Sequence, residues 1–202
     1  MELAAFPYPF SLDVITLYTL IPVQDAIQST VSLLDELNFN YHNLDSQDVA
    51  QLLQVVLCNN YFRFRERTFL QIKGLAMGSN ISPVVAILFM HRLESQVIRS
   101  STVIGFYKRY IDDIFILTVN KETAESIHTT MNAQHPSIKF EIELPKSERT
   151  LSLLDVEVTV LPNEVQTQHY KKQTKKDIFF HFDSALPMNM KRNVVTNEWK
   201  RI

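Results

Sequence analysis

The sequence predicts an α+β layer, an antiparallel sheet with helices packed on one face. Three observations predict it. Short runs rich in Val, Ile, Tyr and Phe recur between turn residues and read as strands. Stretches with apolar residues at helical spacing lie between them. Few strand–helix–strand crossover units occur, so the strands pair mainly as hairpins rather than as a parallel sheet. With 202 residues, 46% hydrophobic and 21% charged, the chain has material for a sizeable core and for one domain or one and a half.

Residues 8–14 read as a first strand ending near Asp13. Pro22 suits the first turn of a helix, where a missing N–H is no loss. Val23, Ala26, Ile27, Val31, Leu34 and Leu37 then recur at helical spacing. A polar stretch, residues 38–45, breaks the pattern. Ser46 is the expected N-cap of a second helix running to about Cys58, with Val49, Leu52, Leu53, Val56 and Leu57 facing inward. Residues 60–73 read as a hairpin around a charged, exposed centre, Arg65-Glu66-Arg67.

Residues 74–83, Gly-Leu-Ala-Met-Gly-Ser-Asn-Ile-Ser-Pro, form a small-residue loop holding two of the three glycines, a loop suited to close backbone approach to a ligand. Ser82 as cap and Pro83 in the first turn open a long helix through Ile98. Val84 to Met90 is apolar nearly all round, so this start is expected to be buried. A hairpin over 105–119 follows, then an amphipathic helix over 121–133 with Ala124, Ile127 and Met131 on its apolar side. Ile138 to Leu144 alternates with period two and reads as a half-exposed strand. Residues 151–161 and 165–172 flank Pro162-Asn163-Glu164 as a further hairpin, and the tail after Pro187 reads as a helix.

The longest apolar run, Val84 to Met90, is far short of a bilayer span, and the N-terminus lacks the pattern of a secretory signal. No membrane association is expected. The single cysteine, Cys58, excludes an internal disulfide and fits a reducing, intracellular compartment. The net charge of −2 conceals a division: residues 170–202 carry +5 and residues 1–169 carry −7. The basic end, with Lys171, Lys172, Lys175, Lys176, Lys191 and Arg192, is a candidate phosphate-contacting surface; a solvated lysine-rich face is the competing reading.

Chemistry concentrates at Tyr110-Ile111-Asp112-Asp113. Asp-Asp sits between two apolar runs, where a structural hairpin turn more usually has Asn-Gly or Asp-Gly. Adjacent carboxylates are hard oxygen ligands for Mg²⁺ and need a further carboxylate from elsewhere. The competing reading is a solvated acidic turn. An antiparallel sheet can bring Asp13, at the end of the first strand, beside this turn. Three such carboxylates can hold two Mg²⁺ ions about 3.5–4 Å apart for in-line nucleotidyl transfer. Tyr18 could then lie by a nucleotide's sugar and exclude a 2′-hydroxyl by bulk; a core tyrosine is the alternative.

Taken together, these segments resemble reverse transcriptases. Tyr-Ile-Asp-Asp at 110–113 resembles their metal-binding box, and Ser-Leu-Asp-Val-Ile-Thr-Leu-Tyr-Thr-Leu-Ile-Pro at 11–22 their first catalytic motif. Residues 74–83, with the helix ending near Glu94, resemble the motif that contacts template and nucleotide. The Ala-Met-Gly-Ser form looks most like Penelope-like retroelements, as do Leu-Leu-Asp-Val at 153–156, Tyr-Lys-Lys-Gln-Thr at 170–174 and His-Phe-Asp-Ser-Ala-Leu-Pro at 181–187. Leu153, Gln173 and Leu186 depart from that family, which usually has Phe, Pro and His there; none is a metal ligand.

The resemblance implies a right-hand polymerase palm over 1–150, then a primer-grip-like hairpin and the start of a thumb over 151–202, with fingers largely absent. It implies an RNA-directed DNA polymerase that adds deoxynucleotides to a primer 3′-hydroxyl on an RNA template. Asp13, Asp112 and Asp113 would be catalytic and would hold two Mg²⁺ ions, with Mn²⁺ as a substitute. Tyr18, Met77, Gly78 and Ser79 would bind the deoxynucleoside triphosphate. Lys139 is a candidate general acid toward pyrophosphate, with Lys108 and Lys146 as rivals. The basic tail would contact nucleic acid. The alternative is a catalytically inactive retroelement relic, at most a nucleic-acid or protein binding module. An unrelated metal-dependent nuclease fits the carboxylates but not the context of Tyr18 and Ala-Met-Gly-Ser.

Overall fold

The computed structural model describes residues 3–147, 149–170, 181 and 183–201. It comprises two compact units, Met1–Tyr170 and Lys171–Ile202. In chain order the strands are β1 (Tyr8–Val14), β2 (Tyr61–Phe64), β3 (Arg67–Leu70), β4 (Ile104–Tyr110), β5 (Asp113–Thr118), β6 (Phe140–Glu143), β7 (Thr150–Leu153), β8 (Val156–Val160) and β9 (Val165–His169). The helices are α1 (Leu17–Leu20), α2 (Val23–Glu36), α3 (Ser46–Cys58), α4 (Ser82–Ser100), α5 (Lys121–Ala133) and α6 (Met188–Arg201).

The predicted antiparallel sheet is present, with strand order β4-β5-β1-β6. Its two faces follow from alternation along each strand. Phe10, Leu12 and Val14 of β1 and Ile114 and Ile116 of β5 point to one side, where they are buried with Ala26, Ile27 and Val31 of α2, Val85, Phe89 and Met90 of α4, and Ala124, Ile127 and Met131 of α5. α3 adds Leu53 and Leu57 to this core from a position against α2. On the opposite face Phe115 and Leu117 are buried with Leu151 of β7 and Val160 of β8. Helices therefore cover one face, and the β7-β8-β9 meander packs against part of the other.

Several local expectations are corrected. The N-cap of α3 is Asp45, not Ser46: Asp45 Oδ1 accepts from the amides of Gln47 and Asp48, and Asp48 Oδ2 accepts from the Asp45 amide in return. A carboxylate offers two acceptors and completes this reciprocal box, which frees the Ser46 hydroxyl to donate to Asp35 Oδ1. Leu52 and Val56 are exposed, at 57% and 48%, because α3 lies outside α2 and only a narrow stripe meets the core. Helix α4 begins at Ser82 with Ile81 as N-cap and no side-chain capping bond. Its apolar start is buried on one side only; Val84 and Ile87 face outward.

Residues 60–73 do form a hairpin, a separate two-stranded sheet whose eight strand residues are all exposed. Arg65 and Glu66 both take positive φ, the geometry that matches strand twist in a two-residue turn. Residues 151–161 are not one arm of a hairpin: Leu154, with φ 54°, turns the chain between β7 and β8, and β9 adds a third strand. In the second unit the predicted tail helix is α6, and Lys191 Nζ donates to the Ser184 carbonyl at 2.6 Å. Among the described residues, no helix is long and apolar enough to cross a membrane.

Candidate functional site

The β1–β5 register pairs Asp13 with Asp113 directly. Opposed residues of an antiparallel pair share a face and lie about 4.5–5.5 Å apart at Cβ. The same register places Ser11 against Phe115, so both aspartates lie on the face away from the helix layer. The row continues to either side. Tyr110 of β4 pairs with Asp113, and Glu141 of β6 pairs with Asp13. Asp112 occupies the β4–β5 turn, and its carbonyl accepts from the Val14 amide at 3.1 Å, which ties the turn to the end of β1. Asp13, distant in sequence, is thus brought to the sheet end that carries the adjacent Asp112 and Asp113.

That turn is strained. Ile111 has φ 57°; a β-branched residue in the left-handed region is an outlier, at a cost of about 1–3 kcal/mol. Among the described residues, no three carboxylate, imidazole or thiolate side chains are already gathered into a metal cage. Mg²⁺ does not require one: it takes one or two carboxylates and completes its shell with water and phosphate oxygens. The donor set on this edge is hard oxygen throughout, so the residues fit that ion by chemistry.

Tyr18 lies on α1, immediately after β1, and packs half-buried against the core. The glycine loop joins it through backbone. The Leu75 amide donates to the Tyr18 carbonyl at 2.6 Å. A Cβ on Gly74 would stand 2.6 Å from the Thr19 carbonyl oxygen, so the close approach that this glycine permits is to the chain itself. Met77 and Gly78 are exposed and Ser79 is half-buried, all on the same loop. A cavity of about 620 Å³ adjoins it, bounded by Thr19, Leu57, Gln71 and Gly74 among others; the three aspartates do not line it.

The lysines are placed differently. Lys139 Nζ donates to the Asn132 carbonyl at 3.0 Å, near the end of α5, and the Lys139 carbonyl accepts from Ile15. Lys146 Nζ donates to Ser152 Oγ at 2.9 Å and sits 4.2 Å from the Tyr170 ring centre. Lys108, opposite Phe115, is exposed on the aspartate face. Lys171, Lys172, Lys175 and Lys176 lie outside the described residues. Lys191 and Arg192 are on α6, half-buried and exposed respectively.

Two features escape a reading of the sequence alone. One is Glu141, whose place in the carboxylate row depends on the β1–β6 register. Its only sequence signal is the alternation of Glu141-Ile142-Glu143. The other is a buried polar cluster on the helix face. Glu94 of α4 is 4% exposed and forms an ion pair with Arg109 of β4. Tyr107, also of β4, bonds to Glu94. Glu94 Oε1, Arg109 Nε and Tyr107 Oη are enclosed and, among the described residues, have only one another. Burial raises the Glu94 carboxyl to about 7, against the lowering effect of Arg109. Burial and then the Glu94 charge push the Tyr107 hydroxyl up.

The reverse transcriptase (RNA-dependent DNA polymerase) family model matches residues 11–183. The chain belongs to this family. No curated protein matches the sequence. Among solved structures, apo telomerase from Candida tropicalis is similar at 12% identity and TM-score 0.62, over 79% of this chain and 32% of that one. A form of it truncated from the C-terminal domain gives 14% identity and TM-score 0.59, over 80% and 35%. Telomerase from the same organism in complex with the TWJ fragment of telomeric RNA gives 14% and 0.57, over 96% and 34%. The chain therefore spans about a third of the length of these structures. At such identities the likeness is one of fold: the mixed helix and antiparallel sheet architecture of a reverse transcriptase polymerase domain.

Proposed function

We propose that this chain is the catalytic palm of an RNA-directed DNA polymerase, in motif style nearest to Penelope-like retroelements, acting in a reducing intracellular compartment. The observation that carries the proposal is the direct pairing of Asp13 with Asp113 beside the Asp112 turn. Asp13, Asp112 and Asp113 are the residues to hold two Mg²⁺ ions. Such ions, when bound, supply activation of a primer 3′-hydroxyl and charge neutralisation at the leaving pyrophosphate. Everything else is positioning by the chain. The short α1 turn holds Tyr18 just after β1, where its ring would discriminate against a ribose 2′-hydroxyl. The loop pinned to Tyr18 through Leu75 carries Met77, Gly78 and Ser79 toward an incoming deoxynucleotide and its template base. Of the lysines, Lys139 is the proton donor favoured from sequence, and its bond to Asn132 would have to open first. Lys171, Lys172, Lys175, Lys176, Lys191 and Arg192 would contact the template–primer phosphates. The telomeric RNA fragment in the Candida tropicalis telomerase complex is in keeping with an RNA template here.

Primer extension on an RNA template with deoxynucleoside triphosphates tests this, in Mg²⁺ and in Mn²⁺, beside an Asp112→Ala, Asp113→Ala variant. Extension that vanishes in the variant is the expected result. No extension from folded, Mn²⁺-binding protein would overturn the polymerase reading and leave a nucleic-acid or protein binding module.

A further inference from the structure

The face of the β4–β5 hairpin that turns away from the carboxylates holds a device that the proposed reaction does not use directly. Arg109 pairs with Ile114 across β4–β5, and Ile114 is buried among the helices, so Arg109 projects to the helix side. Its guanidinium spans three partners. Nε pairs with Glu94 of α4. Nη2 donates to the Ile87 carbonyl, two turns earlier on the same helix, at 3.3 Å. Nη1 donates to the Ile111 carbonyl at 3.1 Å.

Ile111 is the residue with positive φ, and its carbonyl carbon leads into Asp112. A planar fork with fixed donor directions suits such a three-point junction; a lysine's single ammonium does not. We infer that Arg109 is a positioning residue that clamps the strained Ile111–Asp112 turn to α4, so that the carboxylates at that turn hold their place for a divalent cation. The metal half of this inference rests on the polymerase reading; the clamp itself does not.

The Val14 amide reports on the turn, because it donates to the Asp112 carbonyl. Ile116, fully buried in the middle of β5, reports on the sheet at large. The experiment is amide hydrogen exchange of the metal-free protein, with Mn²⁺ affinity measured in parallel, for wild type, Arg109→Lys and Glu94→Gln. Arg109→Lys keeps a positive charge beside Glu94 but cannot reach both carbonyls. Val14 exchange is expected to speed about tenfold while Ile116 is unchanged, and Mn²⁺ affinity to fall about tenfold, the scale typical of residues behind metal ligands. Glu94→Gln slackens the anchor while leaving the carbonyl bonds, and the same direction is expected with a smaller factor; it decides the matter if the lysine variant does not fold. Unchanged Val14 exchange in the folded variants would overturn the clamp. Wild-type protein that binds no Mn²⁺ would instead defeat the polymerase reading, with the exchange result still deciding the clamp.

Discussion

Asp13 and Asp113 stand opposite one another across the β1–β5 ladder, on the face that the helices do not cover. Like charges directly opposed across a ladder are destabilising, and a cation shared between these two carboxylates, as the proposed function requires, would offset that contribution. On the proposed polymerase reading, the pairing would tie folding stability to metal binding.

Mn²⁺ at about a hundredfold above its dissociation constant is expected to stabilise the fold by about 2.7 kcal/mol, the linkage value for one site. Asp13→Asn with Asp113→Asn should remove that increment while leaving the register intact, since the side chains keep their shape. Urea unfolding with and without Mn²⁺ measures it. An equal increment in the variant would place the ion elsewhere.

Glu94 sets a pH dependence. Its folded-state carboxyl is raised to about 7 by burial, from an ordinary 4.5. The folded form thus holds the proton more tightly than the unfolded one, and the associated stability is present below about pH 4.5 and lost as pH rises toward 7. One pKa unit corresponds to about 1.4 kcal/mol, so the loss is on the order of 3 kcal/mol. Glu94→Gln cannot titrate. Relative to wild type, its unfolding free energy should improve by that amount between about pH 5 and pH 8; a constant difference would refute the assignment.

Two glycines of one loop should respond differently to alanine. Gly74 has φ 73°, and an added Cβ would meet the Thr19 backbone. Left-handed strain of about 1–2 kcal/mol adds to overpacking of about 1–3 kcal/mol. Gly78 has φ 99° but open space around it, so only the strain applies. Denaturant midpoints should order wild type above Gly78→Ala above Gly74→Ala.

On α3, Leu57→Ala should cost about 2–5 kcal/mol, because the side chain is buried in the core. Leu52→Gln, on the exposed side of the same helix, should stay within about 0.5 kcal/mol. Thermal unfolding of the two variants separates the faces.

Much of this arrangement is legible in the sequence because it is local. The α5 helix occupies the predicted 121–133 window, since the spacing of Ala124, Ile127 and Met131 lies within it and Asn120, the residue just before it, caps its start. β1 and the Asp-Asp hairpin are equally readable from their β-branched and aromatic runs. What escapes depends on partners distant in sequence. Leu52 and Val56 have the spacing of core residues, yet α3 meets the core through α2 and leaves them exposed. The link from Arg109 to Glu94 joins two charged residues with no sequence relation, and only the packing of α4 on the sheet makes them neighbours. The Ser46 cap fails on chemistry close at hand: Asp45 stands one position earlier and, with Asp48, completes the stronger motif.

The two-residue turn between Tyr110 and Asp113 has a consequence for how such a gene can drift. Side chains alternate along β5, so a single codon gained or lost within it would carry every later side chain across the sheet, setting Ile114 and Ile116 toward the outside and Phe115 among the helices. Most substitutions alter one contact; an in-frame indel here exchanges inside for outside over the whole strand. Decay of this protein should therefore be sudden when counted in codon number and gradual when counted in codon identity.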